Sequence, residues 1–321
     1  MNKAVALQAW SLMSEAKKWL IATHFNPDGD ALGSANIFLE LAAAINKPAV
    51  AYCASVPDEN FKFLSRINQL TNKITKEQFD DFDLIIVVDC ATASRSKLKD
   101  WLYTRRSNQI VIEFDHHERQ EDYADIDFKE SEAAATVEII YNFLLAIDWP
   151  INVEIAKSIL VGLLTDTGNF VYSNTSGRIA KIAAKMMLMG ARVPKIIGQT
   201  LANKNLAVMH LWGLVLSRLK INYEYLVAIA VVKQNELSKF DLGVDDLSGL
   251  IGLISGLQGV VGTLLLIETE NGQIKGSLRS RLTDIDMSML ANFLGGGGHR
   301  QAAGFCLNGS LSGEEGQMVV L

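Results

Sequence analysis

Apolar residues in this chain follow two rhythms. Trp19-Leu20-Ile21-Ala22-Thr23, Leu84-Ile85-Ile86-Val87-Val88 and Ile110-Val111-Ile112-Glu113-Phe114 are nearly unbroken apolar runs, and residues 49–53 form a shorter one. Runs without alternation mark strands covered on both faces, as in parallel sheets. Residues 31–45, 133–147, 151–164 and 177–190 instead repeat apolar positions at helical spacing. Residues 1–20 read as an amphipathic surface helix, 57–60 as a turn and 61–67 as a helix. Strands alternating with helices predict an N-terminal α/β domain over residues 1–190, with a mostly parallel sheet and flanking helices.

Residues 191–220 read as a linker helix region, with Val193-Pro194 at the boundary. His210 falls in this apolar stretch and reads as a packed or surface histidine. Residues 221–321 form a smaller C-terminal α/β domain. Its strands cover 223–232, 263–267 and 273–279, the last two joined through Glu270-Asn271-Gly272, a hairpin signal. A helix over 286–293 precedes Gly295-Gly296-Gly297-Gly298-His299-Arg300-Gln301-Ala302-Ala303-Gly304. The nearly uncharged stretch 247–267 is broken by five glycines, so it reads as a buried helix, a turn and a strand, not a membrane span.

The apolar runs share one property: each delivers acidic or imidazole residues at its C-terminal end. His24, Asp28 and Asp30 follow the first, Asp89 the third and Asp115-His116-His117 the fourth, while Asp166 follows an apolar helix. In a parallel sheet these ends converge, and ligands bind there. Close carboxylates repel unless a cation joins them. The alternative at the first cluster is an acidic turn with Asp30 as an N-cap.

His24, Asp28, Asp30, Asp89, His116 and Asp166 together offer four carboxylates and two imidazoles. Two divalent cations balance that charge. Mixed imidazole and carboxylate donors suit Mn²⁺ and allow Co²⁺, with Mg²⁺ less well matched. Two ions about 3.5–4 Å apart clamp a phosphoryl group and activate a water, which accounts for hydrolysis without a nucleophilic side chain. Neither GxSxG nor GxxxxGK[ST] occurs.

Composition narrows the substrate. The net charge of −6 lacks the basic excess of proteins that grip long duplexes, so a nucleic-acid substrate, if there is one, is expected to be short and held by a few placed cations. Cys53, Cys90 and Cys306 match no CxxC spacing and read as buried apolar residues. No signal or lipidation pattern is present, so a cytoplasmic location is expected, with no membrane partner.

These residues carry a resemblance. NPDGDALGS, the strand-final Asp89, Asp115-His116-His117 and Asp166 in LLTDTGNF resemble the motifs of the DHH phosphoesterase superfamily, and GGGGHRQAAG resembles the signature of its DHHA1 domain. The combination is similar to the stand-alone bacterial oligoribonuclease/pAp-phosphatase branch. The resemblance implies that His24, Asp28 and Asp89 hold one ion. Asp30, Asp89, His116 and Asp166 hold the other, with Asp89 bridging. It implies that His117 faces the scissile phosphate, that Asp115 either orients a ligand histidine or acts as a structural cap, and that Asn26 contacts the water or phosphate. Arg95 is the counterpart of a phosphate-reaching arginine or else part of a solvated helix face.

In the second domain, Gly276-Ser277-Leu278-Arg279-Ser280-Arg281 resembles a substrate-binding segment, with Arg279 favoured over Arg281. Gly296, Gly297 and Gly298 would let the backbone approach an anion, with His299 and Arg300 toward a cleft between the domains. The implied activity is two-metal hydrolysis of very short RNA to mononucleotides, together with dephosphorylation of pAp; a homodimer is compatible with it. Cyclic or linear dinucleotide hydrolysis, a pyrophosphatase or exopolyphosphatase, and a non-catalytic RNA-binding module are the alternatives.

Overall fold

The computed structural model describes residues 1–172, 174–200, 205–247, 249–282, 284–312 and 319–320. The chain divides into two units, Met1–Asn203 and Lys204–Leu321. The first begins with α1 (Lys3–Glu15), β1 (Trp19–Ala22), α2 (Gly29–Ala44), β2 (Ala49–Tyr52), β3 (Leu70–Thr71) and α3 (Lys76–Asp80). It continues with β4 (Leu84–Val88), α4 (Lys99–Tyr103), β5 (Ile110–Asp115), β6 (Ile126–Lys129), α5 (Thr136–Ala146), α6 (Val153–Asp166), α7 (Gly177–Leu188) and α8 (Val193–Gln199).

Six strands form one sheet in the order β3-β2-β1-β4-β5-β6, and every pairing is parallel. All residues of β1 and β4 are buried, which is why their sequences do not alternate. The larger apolar cluster packs α1, α2, α5 and α6 on one face around Trp19, Phe38, Phe114 and Phe143; the smaller, on the other face, includes Leu20, Phe79, Ile85 and Leu102. The chain leaves β1 toward β2 on one side and β4 toward β5 on the other. The strand order reverses between β1 and β4, and such a switch point opens a crevice at the strands' C-terminal ends.

Helices α2 and α6 cross at glycines. A Cβ on Gly33 would lie 2.6 Å from the Ser158 carbonyl oxygen, and one on Gly29 2.4 Å from Thr165 Cγ2. This close approach brings the end of α6, which carries Asp166, to the beginning of α2. The helix expected over 61–67 is instead a set of turns flanked by short 3₁₀ segments at Glu59–Phe61 and Ile67–Gln69. Phe61 and Leu64 are buried three apart. The backbone N–H of Arg66 donates to Asn36 Oδ1 (2.9 Å) and Ser65 Oγ donates to Glu40 (2.6 Å), so α2 side chains take the groups a helix would have used.

The second unit contains α9 (Leu206–Ser217), β7 (Lys220–Asn222), β8 (Val227–Val232), α10 (Gln234–Lys239), α11 (Leu250–Ile254), β9 (Gly262–Glu268), β10 (Gln273–Arg279), α12 (Met287–Phe293), β11 (Gly297–His299) and β12 (Ala302–Asn308). A short pair, β13 (Leu311–Ser312) and β14 (Val319–Val320), follows. Its main sheet runs β11-β12-β10-β9-β8-β7 and is mixed: β8 and β9 pair parallel, the others antiparallel. The 247–267 stretch resolves into α11 and β9, and among the described residues no helix is long and apolar enough to cross a membrane. Cys53 and Cys90 are buried, but Cys306 is exposed, because β12 turns its alternate residues outward at its C-terminal end.

Candidate metal centre

The three central strand ends carry the chemistry. His24 lies just beyond β1, Asp89 just beyond β4, and Asp115, His116 and His117 at the end of β5. Asp89 follows an extended run of β-branched residues yet sits at φ +56°, in the left-handed region. Asp is among the few residues with a side chain that tolerate it. That turn stops the strand and directs the carboxylate along the sheet edge, where it is 2% exposed.

Asp89 is the hub. Its Oδ2 lies 3.6 Å from His24 Nε2, and its Oδ1 lies 3.5 Å from His116 Nε2 and 3.6 Å from His117 Nδ1. His116 Nε2 is also 3.3 Å from Asp166 Oδ2. Among the described residues, three groups have donor atoms all within 4.8 Å of one another: His24–Asp28–Asp89, Asp30–His116–Asp166 and Asp89–His116–His117. Two donors about 2.1 Å from a shared ion and about 90–110° apart lie about 3.0–3.5 Å from each other. The observed separations are therefore those of groups around a cation as much as of hydrogen-bonded pairs. His24 Nδ1 donates to the Phe25 carbonyl at 2.9 Å. A carbonyl only accepts, so Nδ1 carries a proton and Nε2 is the ring nitrogen that faces Asp89.

The carboxylates crowd one another. Burial, and then the charges of Asp89 and Asp28, push the Asp30 carboxyl well above its usual range. Burial, and then Asp30, Asp28 and Asp89, do the same to Asp166. Burial alone would raise Asp89 too, but the His24 hydrogen bond and the charges of His116 and His117 hold it well below the ordinary carboxylate value. Such a donor set has unmet demand for positive charge, and divalent ions fit it by charge and by ligand type.

Asp30 does not cap its own helix. Asp28 does: its Oδ1 accepts from the N–H groups of Asp30 (3.0 Å) and Ala31 (3.1 Å). Asp30 instead caps α5, with Oδ2 accepting from Thr136 N–H (2.6 Å) and Oδ1 from Val137 N–H (3.0 Å). The N-cap residue of α5 is Ala135, which has no side chain able to do this. Thr136 was not a sequence candidate. It is fully buried and its hydroxyl donates to Asp89 Oδ1 at 3.0 Å, so one residue touches both Asp30 and Asp89. Its only sequence signal is a lone hydroxyl after Ala133-Ala134-Ala135 at the start of a helix.

The Asp115 carboxylate is on His117, not His116. It accepts from His117 Nδ1 (2.7 Å), from the His117 backbone N–H (2.9 Å) and from the Ala91 N–H (2.5 Å). Burial would lower the proton affinity of His117, but the Asp115 bond and the charges of Asp89 and Asp115 raise it. Asn26, at φ +54°, donates its backbone N–H to Ser55 Oγ at 2.7 Å and is exposed. Arg95 is exposed close enough for its charge to oppose protonation of His24 and His117.

In the second unit, Arg279 is half-buried on β10 and its Nη1 donates to its neighbour's carbonyl, Leu278 O, at 2.9 Å; Arg281 and Arg300 are exposed. The Ser280 hydroxyl is committed within the unit, donating to Val261 O (2.7 Å) and accepting from Leu282 N–H (3.1 Å). The glycine run is not an open loop. Gly297 to His299 pair with β12, and a Cβ on Gly296 or Gly298 would lie 2.1 Å from Gly304 O or 2.6 Å from Ala302 O. These two glycines admit a neighbouring strand, whereas Gly297 is less crowded. The His299 side chain lies outside the described residues. His210 is exposed on α9.

Residues 18–164 match the DHH family, N-terminal domain, and residues 222–316 match the DHHA1 domain. The chain is 30% identical over 292 residues to the bifunctional oligoribonuclease and PAP phosphatase NrnA of Thermus thermophilus, covering 90% of this chain and 84% of that one. It is 25% identical over 288 residues to the Bacillus subtilis protein of the same name, covering 89% and 88%. Among solved structures it resembles an exopolyphosphatase-related protein from Bacteroides fragilis, with TM-score 0.87 and 25% identity over 95% of this chain and 91% of that one. The chain belongs to the DHH family, with a DHHA1 domain in its second unit.

Proposed function

We propose that this DHH-family phosphoesterase is a Mn²⁺-dependent hydrolase that degrades very short RNA from an end to mononucleotides and also removes the 3′-phosphate of pAp. The observation that carries the reading is the Asp89 carboxylate, whose two oxygens face two different histidines, each within a separate group of donors. In this reading His24, Asp28 and Asp89 hold one ion and Asp30, Asp89, His116 and Asp166 the other. The substrate class draws on relatives named oligoribonuclease and PAP phosphatase that align along about nine-tenths of the chain.

When bound, the two ions supply Lewis-acid polarisation of a phosphoryl oxygen and lower the pKa of a water. The chain's own residues do the rest. Asp115 accepts from His117 Nδ1 and favours the imidazolium, so His117 meets the developing phosphate charge through its Nε2–H. Asn26 and Arg95 serve the phosphate from the β1 and β4 loops. Arg279, Arg281, Arg300 and the glycine strand are assigned to nucleotide binding, Arg279 foremost.

Metal removal tests the reading. Chelation is expected to abolish turnover of a diribonucleotide and pAp, with Mn²⁺ restoring it and a 24-mer RNA remaining slow. Mn²⁺ at a hundred times its Kd should stabilise the fold by about 2.7 kcal/mol, about 5–10 °C in Tm for a unit of this size. Cyclic di-AMP, pyrophosphate and polyphosphate belong in the same panel; preference for any of them would move the substrate assignment and leave the metal centre standing.

Thr136 supplies a finer test. Thr136→Val keeps the shape and removes the donor to Asp89, and a hydrogen bond to a charged group contributes about 1.5–3 kcal/mol. Calorimetry is expected to show Mn²⁺ binding about tenfold weaker or worse, by the same conversion. Thr136→Ser, which keeps the hydroxyl, should restore it. Equal affinities for the two variants would show that the hydroxyl does not tune Asp89.

A further inference from the structure

The ring next to the metal centre has no structural duty. Phe25 follows His24 directly and is 46% exposed, and it belongs to neither apolar cluster of its unit. An exposed phenylalanine on a loose loop is unremarkable. This one is held. Its N–H donates to the Arg95 carbonyl at 2.8 Å, and its own carbonyl accepts from His24 Nδ1 at 2.9 Å. The next residue, Asn26, is locked in a left-handed turn and tied to Ser55 by its N–H. The backbone that fixes His24 therefore fixes Phe25 as well.

One cation stands over the ring, and a second belongs to the segment that anchors it. Lys97 Nζ stands 5.5 Å from the ring centroid, and Arg95 lies on the same 3₁₀ segment, Ala93–Ser96, that bonds the Phe25 backbone. Lys97 itself sits at φ +62°, a conformation that disfavours its side-chain type, so the turn is specified against local preference. An exposed aromatic ring on a fixed backbone, with a cation over one face and a phosphoryl-hydrolysing centre next to it, suits a nucleotide: the open face takes the base and the basic side chains of the segment take phosphate.

We propose that Phe25, with Lys97 over one face of its ring and its backbone bonded to Arg95, is a stacking platform in the first unit for a nucleobase next to the scissile phosphate. The inference rests on the nucleotide reading above. It makes the first unit a partner in base selection and not only in cleavage, and it favours substrates with a planar base over polyphosphate chains. Stacking tolerates all four bases, because each presents a π-face.

The test compares Phe25→Ala and Phe25→Trp with the wild-type chain on two matched compounds: pAp and its abasic counterpart, ribose 3,5-bisphosphate. Base–aromatic stacking contributes about 1–3 kcal/mol by alanine substitution, so the ratio of kcat/KM on pAp to that on the abasic compound is expected to fall about 5- to 150-fold in Phe25→Ala. Phe25→Trp should keep the ratio within about threefold of wild type. Calorimetric titration with AMP, which needs no turnover, should show the same loss of affinity in Phe25→Ala. Unchanged Mn²⁺ affinity would show that the loss does not come through His24. An equal decline on both compounds, or no decline on either, would overturn the platform. Wild-type inactivity on both would count against the nucleotide reading instead, and the AMP titration would still decide the fate of the ring.

Discussion

Asp89→Asn is expected to lower turnover by about 10³-fold or more at saturating Mn²⁺, since the carboxylate proposed to bridge would order both ions and each 1.36 kcal/mol of lost transition-state stabilisation is tenfold. Asparagine is the informative choice. It keeps the side-chain shape and tolerates the left-handed backbone at φ +56°, which alanine does less well. The fold should survive without metal. Asp89 is among the charges that push the Asp30 and Asp166 carboxyls up, so removing it relieves repulsion in an already crowded pocket. Against that stands the loss of its contacts with His24, His116 and His117. These opposing terms leave the metal-free Tm within a few degrees of wild type, while the Mn²⁺-induced rise disappears. Initial rates and paired melting scans measure both halves. Turnover within about tenfold of wild type would remove Asp89 from the bridging position.

Gly162→Ala should damage the same centre from behind. Gly162 is on α6, and a Cβ there would lie 2.5 Å from Asp30 Oδ1 and 2.6 Å from Val137 Cγ2. Helix propensity favours alanine by about 1 kcal/mol. Overpacking costs about 1–3 kcal/mol, and here the displaced group is a carboxylate that caps α5 and is assigned to an ion. The packing term wins. A net destabilisation of up to about 2 kcal/mol is expected, with Mn²⁺ affinity and turnover both down about 10- to 100-fold, the range for disturbing a ligand's support. Gly177→Ala on α7, where a Cβ meets nothing within 4 Å, is the control and should melt no lower than wild type. Equal behaviour of the two variants would show that the α5–α6 contact yields without moving Asp30.

What could be read from sequence was what lies in a continuous stretch. Leu84 to Val88 is apolar throughout because β4 is buried on both faces, and Asp89 ends that run, so strand and site residue announce each other. His24 and Asp115 are legible for the same reason. Contacts made across the fold left no such trace. Nothing near Asp30 in sequence says that it caps a helix 106 residues away. Thr136 and Gly162 acquire meaning only from what packs on them. The strand pairing of the glycine run left no trace either, because approach to an anion and approach to a neighbouring strand call for the same residue; only the nearby carbonyls of Ala302 and Gly304 show the second. Residues 61–67 had helical spacing in the sequence, but the α2 side chains of Asn36 and Glu40 claim their polar groups.

The strand order of the first unit also governs when the site can exist during synthesis. β1 emerges early but sits in the middle of the sheet, between β2 and β4, and its carboxylates wait for partners made later. The donors run from His24 to Asp166, across five of the six strands and most of the helices of the unit. Contacts of such long sequence separation form slowly and together. A nascent chain ending before α6 lacks both Asp166 and the Gly162 surface that packs against Asp30. Hydrolytic competence thus arrives in one step, after translation has passed the end of α6, and truncated products of this gene carry the motifs without the centre.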